Sequence, residues 1–367
     1  MRVYSHDLTD AHVVRMRDDL TKARELGGAT TSLLFLEGRF ALAVSRDRAR
    51  ALEFMEAAES LGALNPIGLN FKAGLMHNGR PDEAITLLSR AGDLDPTNTE
   101  TFRFLTRCYW DLRRPAEAFQ VLRAFNERNQ TKLPKGDLVF AFTGQTEELA
   151  RDVSKLSPEI DEGQRLQMQL HLARAQKRSS DLIAIVDRSS VKELRPLDWS
   201  GFPVPLVGHK PVAELYGWAK LLTGDRAGAV SDGRTMLKFV DRQPVTPTND
   251  WYLRLLAAEG WLFSGDISRA VAETRSALAR TGTGTNFTTS HYRRTAAMIF
   301  AWAGEENDAV ALLERLATEF PSAGPAEITR DPLYSTPLAN SLRYQALAKK
   351  LEAEIAENQK LLVESAK

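Results

Sequence analysis

Two consecutive stretches, residues 65–98 and 99–132, carry one pattern at the same register, and no other feature constrains the fold as much. The first reads NPIGLNFKAGLMHNGRPDEAITLLSRAGDLDPTN. Phe71 and Leu75 stand four apart, on one face of a first helix. Asn78-Gly79-Arg80-Pro81 punctuates the chain, and Asp82-Glu83 place negative charge in the first turn of a second helix, where the macrodipole favours it. Ala84, Leu87, Leu88 and Ala91 stripe that helix, and Asp95-Pro96 closes the unit. In the second copy Phe102, Leu105 and Tyr109 stripe the first helix, Arg113-Arg114-Pro115 turns, and Ala118, Val121, Leu122 and Phe125 stripe the second. Ala84 and Ala118 lie 34 residues apart.

The pattern returns later. In 250–280, Ala257, Ala258 and Trp261 lead through Gly265-Asp266 to Ala270, Thr274 and Ala277. In 290–320, Ala296, Ala297 and Phe300 lead through Gly304-Glu305 to Ala309, Leu313 and Leu316. Ala270 and Ala309 are 39 apart, which accommodates an insertion at TGTGTN. Weaker copies read through Tyr216, Gly217, Gly224-Asp225 and Ala229, and through Leu42, Arg46, Ala51 and Ala58. Alanine at mid-helix lets paired helices approach closely, and large residues such as Phe71, Tyr109, Trp261 and Phe300 fill the space between layers. One hairpin cannot bury its own apolar face, so stacking must supply the stability.

These stretches resemble tetratricopeptide repeats, in the 34-residue step, in Gly79, Gly265 and Gly304 at the turns, in alanine on the second helix and in Pro96 at the junction. The two strong pairs cover somewhat under half of the chain. Lys72, where a small residue is usual, and Arg113, where the turn usually has Gly, depart from the pattern. The resemblance implies an all-α fold, an α-solenoid wound as a right-handed superhelix of helical hairpins. The last helix, from about Ser341 to Ser365, is expected to cap it, with Leu342, Ala346, Leu347, Leu351 and Ile355 as its apolar face. The expected organisation is an N-terminal repeat block over 1–135, an irregular helical connector with a proline-rich loop over 136–210, a second block over 211–322, and a linker plus capping helix over 323–367. The 195–211 loop brings Trp199, Phe202 and Val204, apolar enough to pack on the array or to contact a ligand.

The C-terminal part is similar to the tail of a group of bacterial repeat-bearing signalling proteins. Asp331-Pro332-Leu333, Pro337-Leu338 and Arg343-Tyr344-Gln345-Ala346-Leu347 match a "DP…PL…RFQAL" ending. That resemblance implies a regulatory or scaffolding region behind a cyclase, kinase or winged-helix and TolB-like module, none of which is recognisable here. The chain starts directly in helix-like sequence, as expected of a piece of a longer protein.

Charge narrows the partner class. With 48 Lys+Arg against 48 Asp+Glu, nothing global favours nucleic acid or an anionic membrane. A single cysteine, Cys108, excludes an internal disulfide and a multi-cysteine metal site. The sequence carries no apolar run long enough to span a bilayer and no apolar signal core at its start. The expected compartment is cytoplasmic, or periplasmic if the chain belongs to a membrane-anchored protein.

No catalytic constellation stands out, so the expectation is a non-enzyme without cofactor or metal. Gly282-Thr283-Gly284-Thr285 lacks the preceding strand of a nucleotide cradle, and the six histidines show no metalloprotease spacing. His6 and His12 read as surface residues, Cys108 as a buried small apolar one, and Glu147-Glu148 and Glu305-Glu306 as helix-start charges. The first helices of the hairpins should line a concave face that takes a protein or peptide. On the second repeat this points to Arg103, Arg107, Trp110 and Asp111, with Glu100 beside them, and further along to Trp218, Tyr252, Glu259, Phe263, His291, Arg294 and Trp302. Arg103 and Arg107 share a helix face, and arginine beside an aromatic suits an acidic peptide. Two other readings stay open: a small-ligand sensor built on the mid-chain break, and nucleic-acid binding through the basic 99–135 segment, which the balanced overall charge argues against.

Overall fold

The computed structural model describes residues 10–45, 47–77, 79–130, 133–156, 160–194, 210–245, 249–280, 287–319 and 323–365. It is an all-α helical repeat fold. Its contacts group into two units, residues 1–109 with 121–133, and residues 110–120 with 134–367. The expected connector, second block and capping helix therefore fall in one contact unit. The 195–209 loop with Trp199, Phe202 and Val204, the 281–286 insertion and His6 lie outside the described residues.

The first unit holds α1 (Asp10–Gly27), α2 (Thr31–Phe40) with one π-helical turn after it (Ala41–Ser45), α3 (Arg48–Leu61), α4 (Pro66–Met76) and α5 (Pro81–Leu94), and shares α6 (Thr99–Asp111) and α7 (Pro115–Arg128) with the second. Proline opens α4, α5 and α7, where its missing N–H costs nothing. Asn65 caps α4 by accepting from Gly68 N at 2.8 Å. Ala51, Ala58, Ala73, Ala84 and Ala91 are fully buried, as helix crossings at mid-hairpin require. Lys72 is tolerated because its ammonium meets Glu59 of α3 at 2.6 Å. Cys108 is packed with Ala73, Met76, Ala84, Leu88 and Leu105.

The second unit continues with α8 (Gly136–Thr143), α9 (Glu147–Ser154), α10 (Glu162–Ala175) and α11 (Leu182–Asp187). A two-residue antiparallel bridge of β1 (Glu193–Leu194) and β2 (Lys210–Pro211) pairs Glu193 with Pro211 and Leu194 with Lys210. Three regular hairpins follow: α12 (Ala213–Leu222) with α13 (Arg226–Asp241), α14 (Asp250–Phe263) with α15 (Ile267–Arg280), and α16 (Phe287–Ala303) with α17 (Glu306–Thr318). Ala229, Ala270, Ala277 and Ala309 are fully buried at their crossings.

One turn recurs between the helices of five pairs. Arg113, Lys177, Gly224, Gly265 and Gly304 all have φ between 55° and 85°. At Gly224 the next amide, Asp225 N, donates back to Lys220 O at 2.8 Å, and Asp266 N and Glu305 N repeat this on Trp261 O and Phe300 O. This is the six-to-one closure of a helix C-terminus by a left-handed residue. Arginine and lysine hold that conformation at two turns where glycine would do so at no steric cost.

Two short helices, α18 (Pro325–Thr329) and α19 (Pro332–Ser335), stand where the sequence suggests a plain linker. The last helix, α20 (Leu342–Ser365), packs on α8, α17 and α18. Its buried face is Tyr344, Leu347, Leu351, Ile355 and Asn358, whereas Leu342 and Ala346, expected inside, are exposed. The face is rotated because it must supply donors as well as apolar area. Asn358 donates to Phe142 O at 3.1 Å and Gln359 to Thr143 O at 2.8 Å, satisfying carbonyls at the end of α8.

Candidate functional site

On α6 the four expected residues diverge in exposure. Arg103 keeps a third of its side chain in solvent, 3.5 Å from the Glu100 carboxylate one turn back. Arg107, Trp110 and Asp111 are buried, at 9%, 6% and 1% exposure, so they do not form an open aromatic–arginine patch. The Trp110 ring instead meets Phe142 of α8 edge-on, with centroids 6.0 Å apart.

The second group was expected on an open concave surface, and burial corrects that for Trp218, Tyr252, Glu259 and Phe263, which are 2–6% exposed. Trp218 and Glu259 bond to each other across α12 and α14, and the Trp218 ring stands perpendicular to Phe263 at 5.1 Å. Gly217 permits this, since a Cβ there would lie 2.3 Å from Phe263 Cε2. Burial, then the Glu214 charge, raises Glu259 well above the usual carboxylate range. Glu214 is itself matched by Lys210 of β2 at 2.6 Å.

Arg294 and Trp302 lie against the chain's own C-terminal segment. Arg294 pairs with Glu327 of α18 at 2.9 Å, and Trp302 Nε1 donates to Leu333 O of α19 at 3.0 Å. Tyr334 Oη donates to Arg294 O at 3.3 Å, and Tyr344 Oη to Ile328 O at 2.9 Å. Leu333 and Ile328 are 1% exposed, so this segment is core and covers α16. The His291 side chain lies outside the described residues.

Sequence reasoning missed the polar groups beneath this segment. Asp137 of α8 lies 3.5 Å from His171 of α10. Burial first, then Glu327 and Asp152, push the Asp137 carboxyl up to about 7. Burial also lowers His171 well below its ordinary value, helped by the Arg174 and Arg294 cations. Arg174 faces Asp331 at 3.7 Å. The signal was present in Asp331-Pro332-Leu333 and Arg343-Tyr344, but sequence alone did not show that they fold back on α16.

The basic 99–135 run is largely neutralised. Arg113 bonds to both Glu354 carboxylate oxygens, Arg114 meets Glu117 at 2.7 Å, Arg123 meets Glu127 at 3.8 Å, and Lys135 meets Glu148 at 3.3 Å. Lys132 lies outside the described residues. Among the described residues there is no cluster of three or more His, Cys, Asp or Glu able to hold a metal ion, and no helix is long and apolar enough to cross a membrane.

Comparison with known proteins finds a family match over part of the first unit and its boundary with the second. Residues 75–134 match the family model described as tetratricopeptide repeat. Among solved structures, the chain is similar to a tetratricopeptide repeat protein from Parabacteroides merdae, at 12% identity over 89% of this chain and 98% of that one, with a TM-score of 0.30. It is also similar to the tetratricopeptide repeat domain of P58(IPK), at 14% identity over 93% and 99%, with a TM-score of 0.24. No curated protein matches the chain.

Proposed function

We propose that this tetratricopeptide-repeat chain is a non-enzymatic protein–protein interaction scaffold, the partner-binding region of a larger cytoplasmic bacterial signalling or transcription-regulating protein. Such repeats generally mediate protein–protein interaction, and residues 75–134 match their family model. The finer reading rests on one observation. On the proposed partner face Arg103 keeps a third of its side chain in solvent, and its companion Glu100 is more exposed still. An exposed pair of this kind is worth about 0–1 kcal/mol, so the Glu100 contact by itself does not keep Arg103 from a partner's carboxylate.

The test is affinity capture with the intact chain, quantified for each captured protein against an Arg103→Glu variant of unchanged helical circular dichroism. A partner lost by at least tenfold supports the reading. Capture of the same partners in the same amounts removes α6 from the binding surface.

A further inference from the structure

Antiparallel helices joined by short turns bring the C-terminal ends of the second helices and the N-terminal ends of the first helices to one edge. In the first unit that edge holds the ends of α1, α3, α5 and α7 and the starts of α2, α4 and α6. Two close approaches tie it together. A Cβ at Gly62, just after α3, would lie 3.9 Å from Thr31 Oγ1 of α2. Asn129, just after α7, donates to Pro96 O in the turn after α5 at 3.2 Å.

Large apolar side chains stand in solvent along this edge. Leu26, Leu61 and Leu94, in the last turns of α1, α3 and α5, are 80%, 54% and 58% exposed, and Ile67 in the first turn of α4 is 60% exposed. The fold does not ask for them, since α7, α13, α15 and α17 end on Arg128, Asp241, Arg280 and Thr318. One exposed leucine is ordinary on a protein surface, but one at the same place in successive repeats is a patch. Leu61, Ile67 and Leu94 sit on consecutive helices, whose axes pack about 8–10 Å apart, so they form a continuous strip.

The strip ends in opposite charges. Glu25 stands beside Leu26 at one end and Arg128 at the other, both exposed, and among the described residues neither meets an opposite charge. Helix α4 is the middle of the seven. A two-fold axis through Ile67 therefore sets Leu61 against Leu94 of a second copy and Glu25 against its Arg128, each twice. Asp93, the charge beside Leu94, then faces Ser60-Leu61-Gly62-Ala63, which carries none.

We infer that this edge seats a second copy of the chain, paired antiparallel about Ile67, with leucines along the centre and Glu25–Arg128 pairs at both ends. The surface stands or falls independently of the Arg103 reading.

Sedimentation equilibrium of the full chain over a concentration series is expected to show a monomer–dimer equilibrium. Ile67→Glu places two carboxylates on the axis and should weaken the dimer about tenfold or more, equivalent to about 1.4 kcal/mol, with unchanged circular dichroism. Glu25→Arg and Arg128→Glu should each weaken it severalfold. The two together restore the pairs with signs exchanged and should recover the parental dimer. Arg103→Glu should leave it unaltered. A monomer at every concentration, a dimer indifferent to Ile67→Glu or to either single charge reversal, or a doubly reversed chain as weak as the single variants would each overturn the assignment. So would loss of the dimer in Arg103→Glu, which would seat the second copy on α6.

Discussion

Trp218 Nε1 donates to Glu259 Oε1 at 3.0 Å, joining two helices through a bond that is almost wholly shielded from water. A carboxyl whose folded-state pKa is raised binds its proton more tightly in the native state than in the unfolded one. Its contribution is therefore most favourable at low pH and is lost as pH rises above the ordinary glutamate value. Glu259→Gln is expected to flatten that part of the dependence and to raise the melting temperature at pH 8. Trp218→Phe leaves the acid without its donor and should cost about 1–3 kcal/mol in chemical denaturation. A more stable Trp218→Phe variant would refute this account.

Asp137 provides a second pH term with a defined window. Its carboxyl is pushed up to about 7 from an unfolded value near 4, so stability should fall as pH rises between those limits. Calorimetric melts of Asp137→Asn at pH 5 and pH 8 should differ less than those of the parent chain. An unchanged difference would place the sensitive group elsewhere.

Gly217 tests the close approach of α12 to α14. A methyl group there meets the Phe263 ring at 2.3 Å, and the ring is locked against Trp218. Gly217→Ala should destabilise by about 1–3 kcal/mol, as overpacking does. Ala270→Leu, at a fully buried crossing, is expected to behave the same way. Urea midpoints equal to the parent's would contradict the packing described.

Lys177 holds a left-handed conformation at φ 56° with its side chain in solvent. Lys177→Gly removes the Cβ strain and is expected to stabilise by roughly 1 kcal/mol, read as a higher denaturation midpoint. Arg113→Gly should not show this gain, since Arg113 also bonds to Glu354 and to Ala323 O, contacts that glycine cannot make.

Much of the helical order was legible before any coordinates. Ala84, Ala118, Ala229, Ala270 and Ala309 mark the crossings because only a small side chain fits between paired backbones, and that requirement is local and periodic. Glycine at 224, 265 and 304 marks the turns for an equally local reason, whereas Arg113 and Lys177 hide two further turns behind residues that seldom adopt that conformation. The site was less legible. Helical periodicity shows which residues share a face, but not what lies opposite that face.

By itself the sequence determined paired amphipathic helices, the places where they cross and the turns between them, since each depends on residues within about one turn of one another. Tertiary structure alone decided which faces remain open. It folded Glu327, Leu333 and Tyr334 back onto α16 and buried Trp218 against Glu259. Exposure is settled by contacts between segments far apart in the chain, and no local pattern encodes them.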